Sequence, residues 1–192
     1  MAFFLKALLV CALGLGFGLL ASAYALSHLS PFDSTRMGPW RLEAHAGSTD
    51  IDPYTRARIE RSGEIPLAAG EGIQLIARAD DESRPLDARC VYKVGPRVPA
   101  ARYWTLSLMD QHGWPVDNLA RRYGFRSSEI LRAGDGDFTI TVAAGVEPGN
   151  WLPVGAPGRF SLALRLYDSP FGATADAIDK SMVPRVARVS CG

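Results

Sequence analysis

The sequence predicts a mainly β fold: an antiparallel β-sandwich of jelly-roll type with one or two short helices, preceded by a single N-terminal transmembrane helix. Three observations lead there. Beyond Ser30 the apolar residues recur with period two, Gly, Pro and Asp punctuate the alternation into short segments, and only two segments carry helical signals. The 192 residues suffice for one main domain, with 47% hydrophobic and 21% charged residues typical of a globular chain. Residues 1–30 form the membrane segment and residues 31–192 the exported sandwich domain; no repeat divides the latter.

From Ala7 to Ser27 no charged residue occurs. At about 1.5 Å per residue, some 20 residues of helix span roughly 30 Å, the thickness of a hydrocarbon core. Ala23-Tyr24-Ala25 fits a small-x-small cleavage site, and Lys6 supplies a minimal basic start. A signal peptide and a retained signal anchor therefore compete. The apolar run exceeds the roughly 7 to 15 residues of a signal h-region, which favours the anchor. Lys6 and the N-terminal amine favour a cytoplasmic N-terminus, so the chain is expected as a single-pass inner-membrane protein with its folded domain in the periplasm or outside. Val10 before Cys11 is too bulky for a lipoprotein site, and Cys11 reads as a membrane-buried thiol. Cys90 and Cys191 remain. In an oxidising compartment this pair reads as a disulfide, although two separate buried thiols stay open as the alternative. A bridge closing about 100 residues is assigned roughly 4 to 5 kcal/mol by the chain-entropy account.

The expected elements follow in order. Residues 40–45 alternate, with Trp40, Leu42 and Ala44 opposite Arg41, Glu43 and His45. Residues 52–63 read as a helix capped by Asp52 with Pro53 in its first position, and Arg56, Arg58 and Arg61 on a solvated face. Strands follow at 72–79, at 90–94 and at 103–110, the last with Trp104, Leu106 and Leu108 on one side. Residues 127–132 suit one helical turn or a strand. Strands at 138–143 and 160–167 place Phe138, Ile140 and Val142, then Phe160, Leu162, Leu164 and Leu166, toward a core. A short amphipathic helix at 173–182, ended by Pro184, precedes a last strand at 185–190.

The pieces Ala101-Arg102-Tyr103-Trp104-Thr105-Leu106-Ser107-Leu108 with Asp110, Asn118 with Arg122-Tyr123, Asp135-Gly136-Asp137-Phe138-Thr139-Ile140, Asn150-Trp151-Leu152-Pro153 and Phe160 to Tyr167 occur in that order. From Leu86 to Pro170 the chain resembles the bacterial family named domain of unknown function 1214. The resemblance implies an exported β-sandwich, in many members joined to an N-terminal companion domain, and it implies no biochemical activity. Here a membrane segment stands in place of the companion, and Leu119 stands where a Pro often follows the Asn. A function built between two such domains does not carry over.

Candidate functional residues follow from the same alternation. Arg165 shares the noncore face of its strand with Ser161, Ala163 and Tyr167. It is read as an outward strand residue or, where buried, as a cation needing an anionic partner or several carbonyls. Asn150 and Trp151 are expected to fix and cover a turn at the end of the sandwich, with ligand stacking as the other role. Asn118, Arg122 and Tyr123 form a similar set, Arg122 being able to reach a carboxylate or loop carbonyls. His28, His45 and His112 lie far apart without ligand spacing, so neither metal nor cofactor is expected. Asp110 with His112 reads as a polar hairpin ahead of a general-base pair, and residues 134–137 as a tight turn. No nucleophile elbow, P-loop or dinucleotide fingerprint occurs. A net charge of +1 with no basic run argues against nucleic acid.

The expected function is a noncatalytic, membrane-tethered envelope module binding a small ligand, a glycan or an envelope protein. The rival is a hydrolase or lyase acting on an envelope substrate through Arg165, Tyr167 and a carboxylate that no motif identifies. A structural subunit, signalled by an exposed apolar patch near the anchor, is the third reading.

Overall fold

The computed structural model of the protein describes residues 2–28, 34–43, 46–62, 65–68, 70–155, 157–171 and 178–192. Helix α1 (Ala2–His28) covers the uncharged run, and its part Ala2–Leu26 is long and apolar enough to cross a membrane. Phe4, Leu8, Phe17 and Leu20 are exposed on it. Such a helix suits a membrane anchor and a signal sequence alike. Helix α2 (Pro53–Ser62) starts as the local signals require. Asp52 Oδ1 accepts the N–H groups of Tyr54 and Thr55, each at 3.0 Å, and Pro53 occupies the first position, where a missing N–H costs nothing.

Among the described residues ten strands form: β1 (Ser34–Met37), β2 (Trp40–Glu43), β3 (Gly72–Ala77), β4 (Cys90–Gly95), β5 (Tyr103–Asp110), β6 (Gly124–Arg126), β7 (Ile140–Ala143), β8 (Asn150–Pro153), β9 (Phe160–Tyr167) and β10 (Arg185–Cys191). They form a six-stranded sheet in the order β1-β2-β3-β9-β5-β6 and a four-stranded sheet in the order β10-β4-β7-β8. Leu75, Leu106 and Leu164 of the larger sheet share one buried cluster with Tyr92, Ile140, Leu152 and Val186 of the smaller. Two sheets with their apolar faces turned together make a sandwich.

Three local features depart from the sequence reading. The β7–β8 pair is parallel, so the smaller sheet is mixed. Parallel neighbours usually need a crossover of a dozen residues or more, but a strand of four residues is only about 13 Å long, and the six-residue link 144–149 can run back beside it. Asn150–Pro153 is thus an edge strand rather than a turn. Strands β1 and β6 are short and carry no clear alternation, and 127–129 is a turn. Of the expected 173–182 helix, residues 173–177 lie outside the described residues, as do Ala44, His45 and Gly63. Lys180–Met182 forms a single 3-10 turn capped by Asp179, whose Oδ1 accepts Ser181 N–H at 3.0 Å.

The turn after β3 ties the two sheets together. Asp80, 1% exposed, accepts the N–H groups of Glu82 and Arg84 on Oδ1 and faces Arg84 Nε and Arg188 Nε, each 2.9 Å from Oδ2. Arg188 comes from β10; it also donates to the Pro85 carbonyl at 2.7 Å and lies over the Tyr92 ring at 5.4 Å. Asp81 bonds the Val186 backbone in both directions. Burial by itself raises the Asp80 carboxyl. The Arg84 bonds and the charges of Arg188 and Arg84 outweigh it and hold the group below the ordinary carboxylate value. Beside this knot Cys90 and Cys191 form the expected disulfide, with a sequence separation of 101.

Two stability tests follow. Cys191→Ser is expected to lower the unfolding free energy by about 2 to 5 kcal/mol in urea titrations. Unreduced, denatured wild-type protein should then expose a single thiol, that of Cys11. For Asp80 the folded value is depressed, so its contribution is present above the unfolded value and disappears as pH falls below about 4. Asp80→Asn should cost about 3 to 5 kcal/mol at pH 7, with the gap to wild type narrowing in acid. A gap constant from pH 7 to pH 3 contradicts the assignment.

Candidate functional site

Alternation along β9 and β5 sends Arg165 and Tyr167, together with Tyr103, Thr105 and Ser107, to the outer face of the six-stranded sheet. Register then lines them up. Gln74, Arg165, Thr105 and Arg126 stand in one row across β3, β9, β5 and β6. Neighbouring strands lie about 4.8 Å apart, which puts the Arg165 and Arg126 backbones about 10 Å from each other. Arg165 is half-buried. Its Nε donates to Gln74 Oε1 at 2.7 Å and a terminal nitrogen donates to the Ile65 carbonyl at 3.4 Å. Both partners are neutral. Tyr167 packs against Tyr103 with ring centres 5.8 Å apart. Ser161 and Ala163, expected on an open polar face, are buried, and Ala163 joins Ile76 and Met109 in a second apolar cluster. The accessible part of the face therefore lies on the β5–β6 side.

There an open groove of about 690 Å³ is lined by Thr105, Ser107, Arg121, Arg122, Tyr123, Gly124, Arg126 and Glu129, among others. Gly124 pairs with Ser107, and a Cβ on it would lie 2.3 Å from the Leu106 carbonyl oxygen. Only glycine permits that close approach of β6 to the β5 backbone. The rim is shaped by Asn118. Its Nδ2 donates to the carbonyls of Val116 and Arg122 at 3.1 and 2.9 Å, and its Oδ1 accepts Arg122 N–H at 3.1 Å. The clamped turn holds Arg121 at φ 50°, in the left-handed region that a residue with a Cβ rarely adopts.

Arg121 and Arg122 are exposed, and among the described residues no carboxylate lies within ion-pair distance of either. Arg122 lies over the Phe125 ring at 4.7 Å, which orients the guanidinium without neutralising it. Arg126 meets Glu129 at 3.8 Å, a loose exposed pair. Tyr123 donates its hydroxyl to Asp117 at 3.1 Å, and that bond, with the Asp117 charge and burial, raises its pKa. Three arginines and one glutamate thus line the groove, together with Thr105, Ser107 and Tyr123.

The remaining candidates lie elsewhere. Asn150 is buried, and instead of bonding its own turn it binds distant backbone: Nδ2 donates to Leu131 and Thr139 carbonyls at 2.8 and 3.1 Å, and Oδ1 accepts Leu131 N–H at 2.8 Å. Trp151, on the smaller sheet, donates Nε1 to the Ala143 carbonyl at 3.1 Å. Arg165 and Tyr167 thus lie on β9 of the larger sheet, Asn118, Arg122 and Tyr123 in the loop that leads into its edge strand β6, and Asn150 and Trp151 on the smaller sheet; of these, only Arg122 and Tyr123 line the groove. The Asp110 carboxylate accepts the backbone N–H groups of His112 and Trp114, which closes the hairpin and leaves the imidazole outside the interaction. Among the described residues no cluster of three metal-ligating side chains occurs. Sequence reasoning missed Thr105, Ser107, Arg121, Arg126 and Glu129. The alternation of β5 already pointed Thr105 and Ser107 outward; the pairing of three-residue β6 carried no signal.

Residues 71–171 match the family described as Protein of unknown function (DUF1214). No curated protein matches. Among solved structures, the VPA0106 protein from Vibrio parahaemolyticus is similar with a TM-score of 0.59 at 17% identity, over 96% of this chain and 46% of that one. An uncharacterised protein from Burkholderia cenocepacia aligns at TM-score 0.40 and 17% identity, over 76% of this chain and 45% of that one. The chain spans less than half the length of either, and the first likeness bears on the fold alone.

The geometry makes Asn150 structural. Asn150→Ala removes three side-chain hydrogen bonds to the backbone of Leu131 and Thr139 and should lower stability by roughly 1 to 3 kcal/mol. Thermal and urea unfolding check this; a loss under 0.5 kcal/mol would reject the assignment.

Proposed function

The chain belongs to the family of proteins of unknown function DUF1214, and on that premise we propose that it is a noncatalytic ligand-binding sandwich, held by α1 on the outer side of the inner membrane. The single observation that carries the reading is the groove on the outer face of the larger sheet. Its rim is fixed by an asparagine clamp, and hydroxyl and charged side chains line it. A small envelope ligand or a polar segment of an envelope protein is the occupant. With α1 retained, the domain holds that occupant close to the membrane surface and faces the periplasm.

The test uses the full-length chain in detergent micelles. Ligand-observed NMR against panels of saccharides, organic acids and short peptides is expected to find binders whose signal disappears in Ser107→Trp, which fills the floor. The thermal midpoint of that variant should stay within a few degrees of wild type. Binders unaffected by the substitution in a folded chain place the site elsewhere and refute the groove.

A further inference from the structure

We infer that the groove takes an acidic saccharide, a hydroxyl-rich ligand whose oxyanion, carboxylate or phosphate, is held by Arg121 and Arg122. This rests on the groove being a ligand site and adds the class of ligand. The charge comes first. Arg121 and Arg122 project from one clamped turn, and among the described residues neither has a carboxylate within ion-pair distance. Across the groove Arg126 is only loosely matched by Glu129 at 3.8 Å. The lining thus carries an excess of positive charge, and an oxyanion bound there offsets it while forming charge-assisted hydrogen bonds.

The geometry of the two arginines supports recognition rather than solvation. Arg122 is stacked on Phe125 and tied through its backbone to Asn118, so little freedom is lost when its planar fork meets an oxyanion. Arg121 is held at a positive φ that the turn imposes. The rest of the lining selects the body of the ligand. Thr105 and Ser107 offer hydroxyls from the strand floor, each both donor and acceptor, and Tyr123, 40% exposed, offers a ring edge. A simple inorganic anion has no use for these groups. A sugar ring uses all of them.

The experiment titrates full-length protein in detergent by calorimetry with three probes: trigalacturonic acid, glucose 6-phosphate and the uncharged galactotriose. At least one acidic probe is expected to bind ten times tighter than galactotriose and to weaken at least fivefold when salt is raised from 50 to 500 mM. The tighter of the two acids identifies the oxyanion. Arg121→Gln/Arg122→Gln should reduce that affinity at least tenfold with an unchanged thermal midpoint, since both side chains are exposed. Ser107→Trp should abolish it. If galactotriose binds as tightly as the acids and Ser107→Trp removes it, the groove stands and the anionic assignment is overturned. If the acids bind equally well to both variants, the inference and the groove fail together. If inorganic phosphate at the same concentration displaces the acidic probes fully, the saccharide assignment is overturned.

Discussion

Two sheets can share a core and still slide against each other unless something fixes their edges, and here that constraint is the Asp80 carboxylate. It sits at the end of β3 in the larger sheet and pairs with Arg188 of β10 in the smaller one. A buried carboxylate is tolerated only when its lone pairs are filled and its charge is matched; two backbone N–H groups and Arg84 Nε donate to it, and the Arg188 charge lies beside it. Arg188 spreads the effect. It lies against Tyr92 and the Pro85 carbonyl, while Asp81 grips Val186 in both directions. The disulfide closes the same corner from the other side, joining the first residue of β4 to the last of β10. Trp40 adds a third link, its indole N–H donating to the Pro184 carbonyl at 2.6 Å just before β10 begins. Since β3 pairs directly with β9, and β9 with β5, the position of the groove on the larger sheet is set through this corner.

The sandwich was legible in the sequence because burial on one face imposes a period of two, which Trp104, Leu106 and Leu108 of β5 and Phe160, Leu162, Leu164 and Leu166 of β9 follow. The cap of α2 was legible because Asp52 and Pro53 act within three residues of each other. The disulfide was legible because compartment and count left one pair. What escaped, the disulfide apart, was the pairing and hydrogen bonding between distant segments. Strand β6 is three residues long and shows itself only through its pairing with β5. Asn150 looked like a turn former, and nothing local reveals that its amide reaches Leu131 and Thr139. Ser161 and Ala163 alternate outward correctly and are nonetheless covered, because alternation tells which face a side chain takes and not what lies over it.

The candidate site shows the same division. Arg165 drew notice as a residue type, yet what places it is the register that puts Gln74, Arg165, Thr105 and Arg126 in one row. A sequence names the members of such a row only after strand order is known, and the order β9-β5-β6 is not that of the chain.

Arginine appears in this fold in three electrostatic states, and the contrast separates scaffold from site. Arg188 is 17% exposed and faces a buried carboxylate; its charge is consumed by the structure. Arg165 is half-buried against a glutamine and a carbonyl, which satisfy its N–H groups and leave its charge. Arg121 and Arg122 are exposed at a groove rim where the backbone is strained and the floor is a glycine. Ordinary surface arginines keep mobile side chains and relieve repulsion by moving apart. A stacked guanidinium on a clamped turn gives up that freedom. Constraint without neutralisation is difficult to explain as a contribution to stability, because exposed charges of one sign held together destabilise the folded chain. It is the arrangement expected where the opposite charge arrives with a ligand.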